Sequence, residues 1–184
     1  MKYSSHMILR SILFMLALFI FGANDLQAHV AHDNMPDAIA EIEYRILLDF
    51  QPDNIETRNK LAMVLYRLDK LDEALVELQR VLELEPNNFD ALDTLGLVSF
   101  KQGKTQLALE YLETAVRINS EDILVYYHLG LVQGKLGLLD AAETSLVTAL
   151  IKYIEQKDQT NRGNEIELIE KALAEVRAQK KEKK

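Results

Sequence analysis

The chain has 184 residues, 48% of them apolar, with seven Gly, three Pro and a formal charge of −8, a composition suited to one compact helical domain and not to disorder. The absence of Cys excludes disulfides, thiolate metal sites, thiol catalysis and a lipid-modified N-terminal Cys. The acidic balance argues against nucleic acid as a partner, because a phosphate backbone needs Lys and Arg clustered along one face.

In chain order, Lys2 and Arg10 flank a polar start, Ile12 to Phe21 carry no charge, and Gly22, Ala23, Asn24 and Asp25 break the run. An apolar stretch of about ten residues is short for a bilayer core, which takes roughly 20 helical residues. Ala28, after Leu26-Gln27, offers a small residue for cleavage. Residues 1–28 therefore read as a signal peptide; the alternative is an uncleaved anchor over residues 8–23, which Leu26 favours by filling a slot that prefers a small side chain. Either reading places the remainder outside the cytoplasm, periplasmic or secreted, with membrane contact only through this segment. Cleavage after Ala28 would leave His29 as the new N-terminus. Its amine and imidazole, with His32 and Asp33, then form an alternative reading, an accessory periplasmic protein holding copper or zinc. Two imidazoles on one short strand are not a preorganised ligand set, so the leading expectation is no metal and no cofactor.

From Ile55 to Leu150 the sequence repeats every 34 residues. Leu61, Leu95 and Leu129 recur in register, as do Ala62, Gly96 and Gly130, then Ala74, Ala108 and Ala142, and Leu78, Leu112 and Leu146. A period of this length signifies a solenoid whose units cover one another's apolar faces. Each unit holds two bursts of apolar residues at helical spacing, separated by Asp69-Lys70, Gly103-Lys104 or Gly137-Leu138. The pattern predicts first helices over 55–68, 89–101 and 123–135, and second helices over 71–84, 105–118 and 139–156. The small residues mark helix crossings too close for a long side chain. Pro86 followed by Asn87-Asn88 ends the first unit, since proline cannot continue a helix. The spacing also reaches backwards, to Ala40, Tyr44, Leu47, Pro52 and Asn54. Residues 36–54 thus form a half repeat whose helix, about 36–49, caps the first full unit. Beyond a polar linker at 157–163, Ile166, Ile169, Leu173 and Val176 predict a capping helix within 164–184, and Lys180 to Lys184 read as a frayed, solvated basic tail.

The first unit contains Leu61-Ala62, Leu65-Tyr66, Leu71-Asp72-Glu73-Ala74, Leu78, Val81 and Leu84-Glu85-Pro86-Asn87-Asn88, and it resembles a tetratricopeptide repeat. The second unit keeps Leu95-Gly96, Ala108, Leu112 and Ala115, and the third keeps Tyr126, Leu129-Gly130, Asp140-Ala141-Ala142, Leu146 and Ala149. The resemblance implies an all-α fold: a right-handed superhelix of helical hairpins, an α-solenoid of about three full repeats (55–88, 89–122, 123–156) with an N-terminal half repeat and a C-terminal capping helix. Two columns depart from the family. The early aromatic of the first helix is Arg58, then Leu92, with only Tyr126 matching, and the tyrosine one turn later is Leu65, Ser99 and Gln133. These substitutions predict looser helix packing.

Catalytic chemistry is not marked out. Gly130 to Leu136 has one residue too few for a phosphate-binding loop and lacks the hydroxyl after Lys135, and it lies within a predicted helix. His128 has no Ser, Cys or carboxylate neighbour in sequence, and no acidic pair is set apart for acid–base work. The resemblance instead implies a concave groove lined by the first helices, where Glu56, Asn59, Met63 and Tyr66 are followed by Asp90, Asp93, Leu97 and Phe100, then by Leu124, Tyr127 and Leu131. The cationic clamp that some relatives use for acidic C-termini is absent, since its places hold Glu56 with Lys60, Asp90 with Thr94, and Leu124 with His128. An apolar floor with acidic edges suits a peptide or amphipathic helix carrying Lys or Arg. The expected function is a non-enzymatic scaffold for protein–protein interaction in the cell envelope, holding a partner during assembly of an envelope complex.

Overall fold

A computed structural model describes residues 36–156 and 165–182. The signal or anchor segment, His29, His32, the linker at 157–163, Lys183 and Lys184 lie outside the described residues. Eight helices follow in order among those described: α1 (Asp37–Phe50), α2 (Ile55–Arg67), α3 (Leu71–Leu84), α4 (Phe89–Lys101), α5 (Thr105–Ile118), α6 (Ile123–Lys135), α7 (Leu139–Gln156) and α8 (Glu165–Glu182). Each packs on its neighbour in the chain, and α2, α4, α6 and α8 also touch in succession, giving an α-solenoid with these helices side by side.

Local chemistry sets the helix ends, and it repeats with the fold. Asn54, Asn88 and Asp122 cap α2, α4 and α6, their side chains accepting from the backbone N–H of Thr57, Ala91 and Val125 at 2.9, 2.9 and 3.0 Å. Such a cap satisfies a donor that the first helical turn leaves open, a contribution of about 1 kcal/mol. The opposite ends turn through Asp69, Gly103 and Gly137, which sit at φ of +63°, +77° and +74°. The next residues close the turn, with the N–H of Lys70, Lys104 and Leu138 donating to the C=O of Leu65, Ser99 and Gln133 at 2.9 Å each. This left-handed closure suits glycine, which has no Cβ to clash. Asp69 adopts it with a side chain, and its carboxylate pairs with Lys101 at 2.9 Å.

Within each hairpin the crossing is closed by a leucine against a small residue. Ala74, Leu78, Ala108, Leu112, Ala142 and Leu146 are fully buried. A Cβ built on Gly96 would come within 2.6 Å of Leu112 Cγ, and one on Gly130 within 2.6 Å of Leu146 Cγ. The departures from the family pattern do not loosen this packing. Leu65 and Ser99 are buried, and Gln133 accepts a buried hydrogen bond from Ser145 at 2.8 Å. Arg58 replaces the missing aromatic with a shielded ion pair to Glu77 and a 2.9 Å bond to the C=O of Pro52. At Arg58 and Gln133 a paired polar group stands where the family has an aromatic ring, while Leu65 and Leu92 fill their places with aliphatic side chains.

The two ends are finished differently. At the N-terminal side, α1 is held to α2 by the Asp37–Arg67 pair at 2.6 Å and to the following turn by Glu41–Lys70 at 2.7 Å, and these partners lower both carboxyl pKa values. Its other face leaves Ile39, Ile42, Ile46 and Phe50 exposed, so α1 covers the first repeat without presenting a polar exterior of its own. At the other end, Ile169, Ala172, Leu173 and Val176 of α8 pack with Leu139, Ala142 and Leu146 of α7 and with Ala149 and Tyr153 beyond them. The basic segment expected to fray is partly anchored. Lys180 pairs with Asp140 and Glu143 at 2.6 Å each, and Arg177 with Glu143 at 2.7 Å.

Gly96→Ala should destabilise the fold by about 1–3 kcal/mol through overpacking against Leu112, and Gly103→Ala by about 1–2 kcal/mol through its left-handed backbone alone. Urea unfolding of each variant measures both effects. A second expectation concerns acid. Lys180 and Arg177 hold the Glu143 carboxyl down at about 2, against its ordinary value of 4.5. A depressed carboxyl stabilises the docked state above its unfolded pKa, so the α7–α8 linkage should weaken as pH falls from 4.5 through about 2. Hydrogen exchange of α8 amides across this range should show the loss, and Glu143→Gln should flatten it.

Candidate interaction groove

The side-by-side order of α2, α4 and α6 places the predicted groove residues on successive inner helices. Asn59, Met63, Tyr66, Asp93, Leu97, Phe100, Leu124, Tyr127 and Leu131 are all half-buried, while Glu56 and Asp90 are exposed. Met63, Leu97 and Leu124 belong to none of the four buried apolar clusters among the described residues. They are partly buried apolar residues that lie outside those clusters.

The remaining positions divide by their contacts. Tyr66 and Phe100 each pack one edge against a buried cluster. Lys101 Nζ lies 4.9 Å from the Tyr66 ring centre and donates to its backbone C=O at 3.1 Å, which holds the ring in place. Tyr127 and Leu131 pack against the cluster built with α8, so the third rung of the groove is shared with the capping helix. Burial raises the Tyr127 phenol pKa, and the charge of Glu175 on α8 adds to this. The capping helix thus stands beside α6 as a fourth inner wall, a placement the repeat period did not supply because residues 165–182 break the register of 34.

Polar groups cluster toward the N-terminal ends of α2 and α4. Ile55, Glu56, Asn59, Lys60, Asn88 and Asp90 surround an open concavity of about 650 Å³. Asn59 Nδ2 donates to Asn88 Oδ1 at 2.9 Å, while Asn59 Oδ1 is buried without a donor among the described residues. Lys60 is engaged by Glu56 at 2.6 Å. Although Asp90 reaches solvent, partial desolvation raises its carboxyl pKa, and the negative charges of Asp93, Asp122 and Glu85 push it further. Asp90, Asp122 and Glu85 concentrate negative charge at this edge.

His128, without a partner in sequence, has one in space. Its Nδ1 lies 2.9 Å from Asp93 Oδ1, with both side chains 14% exposed. The pair links α6 to α4 and takes Asp93 out of the free acidic edge. The spacing of 35 residues, one repeat plus one, is the signal that could have revealed it, because it joins adjacent positions on neighbouring inner helices. Carbon-13 titration should place the Asp90 midpoint above 3.8, and Asp122→Asn should lower it partway while leaving the α6 cap intact, since asparagine caps α2 and α4 in the same role.

Comparison with known proteins agrees with this architecture. A family model described as TPR repeat matches residues 64–103 and 96–137. A crystal structure of MamA is similar at a TM-score of 0.53 and 24% identity, covering 76% of this chain and 87% of that one. The Yersinia enterocolitica type III secretion chaperone SycD, in complex with a peptide of the translocator YopD, is similar at a TM-score of 0.57 and 21% identity, covering 70% of this chain and 95% of that one. No curated protein sequence matches the chain.

Proposed function

We propose that this chain, whose residues 64–103 and 96–137 match a TPR-repeat family model and whose fold is that of tetratricopeptide-repeat solenoids, is a non-enzymatic scaffold whose inner face holds a peptide or amphipathic helix of another protein. The observation that carries this reading is the row of partly exposed apolar residues Met63, Leu97 and Leu124, which lie outside the buried clusters of the described residues, with the exposed Glu56 and Asp90 on the same helices. Apolar contact would supply affinity, and the acidic edge would orient a segment carrying Lys or Arg. The SycD complex supports the reading, because a similar stack of helices there is seen with a peptide. The uncharged run from Ile12 to Phe21 and the small Ala28 support export, which makes the partner a component of an envelope complex under assembly.

Met63→Glu and Leu97→Glu together should leave the melting temperature close to that of the unaltered protein, since neither residue joins a buried cluster. The same pair should sharply reduce partner recovery from envelope extracts. Equal recovery would move the binding surface to another face. A companion triple variant, Tyr66→Ala, Phe100→Ala and Tyr127→Ala, is expected to lose both stability and binding, because those rings pack on the core as well as line the groove. Mass spectrometry of the exported protein should find His29 at its N-terminus.

A further inference from the structure

The penultimate inner-helix column of the repeats reads Tyr66, Phe100, Gly134. Two units place a ring there and the third places nothing. This glycine differs from the other two in helices. At Gly96 and Gly130 a Cβ would collide with leucine at 2.6 Å, whereas at Gly134 it would meet Val176 Cγ2 at 3.4 Å and Ala142 Cβ at 3.9 Å, ordinary contacts. Gly134 also shows none of the positive φ seen at Gly103 and Gly137. Neither packing nor backbone conformation requires glycine at this place, and glycine weakens a helix relative to alanine. Beside it lies an open recess of about 320 Å³ between α4, α6 and α8.

Phe100, Leu131, Gly134 and Val176 line this cavity, and the exposed Lys135 and Glu175 stand at its mouth. The volume lies at the low end of ligand pockets, which run from about 300 to 1,000 Å³, and so suits a single bulky side chain. The chemistry narrows the choice. One repeat earlier, Lys101 stacks over the Tyr66 ring at 4.9 Å. The equivalent residues Phe100 and Lys135 make no such contact among the described residues, and both line the cavity. Lys135 and Glu175 likewise have no ion-pair partner among the described residues. An aromatic wall, an unengaged ammonium and an open recess with room for a bulky side chain are complementary to a second ring, which would pack on Phe100 and lie beneath Lys135.

We propose that this cavity receives a Phe, Tyr or Trp side chain of the partner segment, as the anchor that fixes its register in the groove. The proposal rests on the reading of the inner face as a binding groove. The occupant takes the position that the ring of residue 134 would hold if the column were kept.

The full chain is titrated with indole and with 4-methylphenol, analogues of the Trp and Tyr side chains, and with 3-methylbutanol as an aliphatic control. Methyl resonances of Leu131 and Val176 are followed by NMR. Saturable shifts with the aromatic probes at lower concentration than with the alcohol are expected. Lys135→Gln, at an exposed position, should weaken indole binding by roughly two- to fivefold and leave the alcohol unchanged. Gly134→Phe should fill the space, abolish the shifts and keep or raise the melting temperature. In the partner assay, Gly134→Phe should reduce recovery as Met63→Glu with Leu97→Glu does. Absence of saturable shifts, or shifts indifferent to both variants, overturns the pocket. Partner recovery lost with Met63→Glu and Leu97→Glu but unchanged with Gly134→Phe overturns the anchor and leaves the groove standing. Probes that bind while partner recovery ignores every variant overturn the groove reading, and with it the partner as occupant.

Discussion

The whole arrangement depends on one contact repeated three times, a leucine of the second helix seated against a small residue of the first. Leu78 meets the Ala62 level, Leu112 fills the space above Gly96, and Leu146 that above Gly130. Because the approach admits no further carbon at Gly96 or Gly130, the helices of a hairpin have a fixed distance and rotation. That rotation decides which residues of α2, α4 and α6 turn inward to packing and which remain on the inner surface. A hairpin with a bulkier contact would present different side chains to the groove, so the candidate site is a consequence of the crossing.

Around these crossings the polar devices keep the same step. The caps at Asn54, Asn88 and Asp122 and the left-handed turns at Asp69, Gly103 and Gly137 bound each inner helix at both ends. They hold the inner helices to a common length of 13 residues. Equal lengths keep neighbouring inner positions level across the stack, which is why residues separated by one repeat plus one can meet. The contacts of Lys101 with Tyr66 and of His128 with Asp93 both use that offset. The period thereby produces lateral links that stiffen the inner face where a partner would lie.

The ends show how a linear stack departs from its own repeat. The α8 helix seals the last hairpin with Ile169, Ala172, Leu173 and Val176 and with charges aimed at Asp140 and Glu143, while its inner side borders Tyr127 and Leu131. Sealing and lining are performed by one helix. The α1 helix performs only the first task, and the row Ile39, Ile42, Ile46 and Phe50 faces solvent. Among the described residues, the C-terminal side is the one at which the groove acquires an additional wall.

Helix positions, turns and the hairpin pairing were legible in the sequence, because apolar periodicity, Gly and Asn placement and a constant step of 34 are local properties copied along the chain. The placement of the residues from Asn59 to Leu131 on the first helices of the hairpins was legible for the same reason. Three features emerged only from the tertiary structure. The Asp93–His128 pair joins residues on different helices and depends on their lateral alignment. The replacement of lost aromatics by the Arg58–Glu77 and Gln133–Ser145 pairs depends on which side chains face each other across a hairpin. The closing of the groove by α8 depends on where a helix outside the period comes to rest. Sequence by itself determined everything carried by repetition; what required the folded molecule were the contacts between unlike positions, whose distances no period encodes.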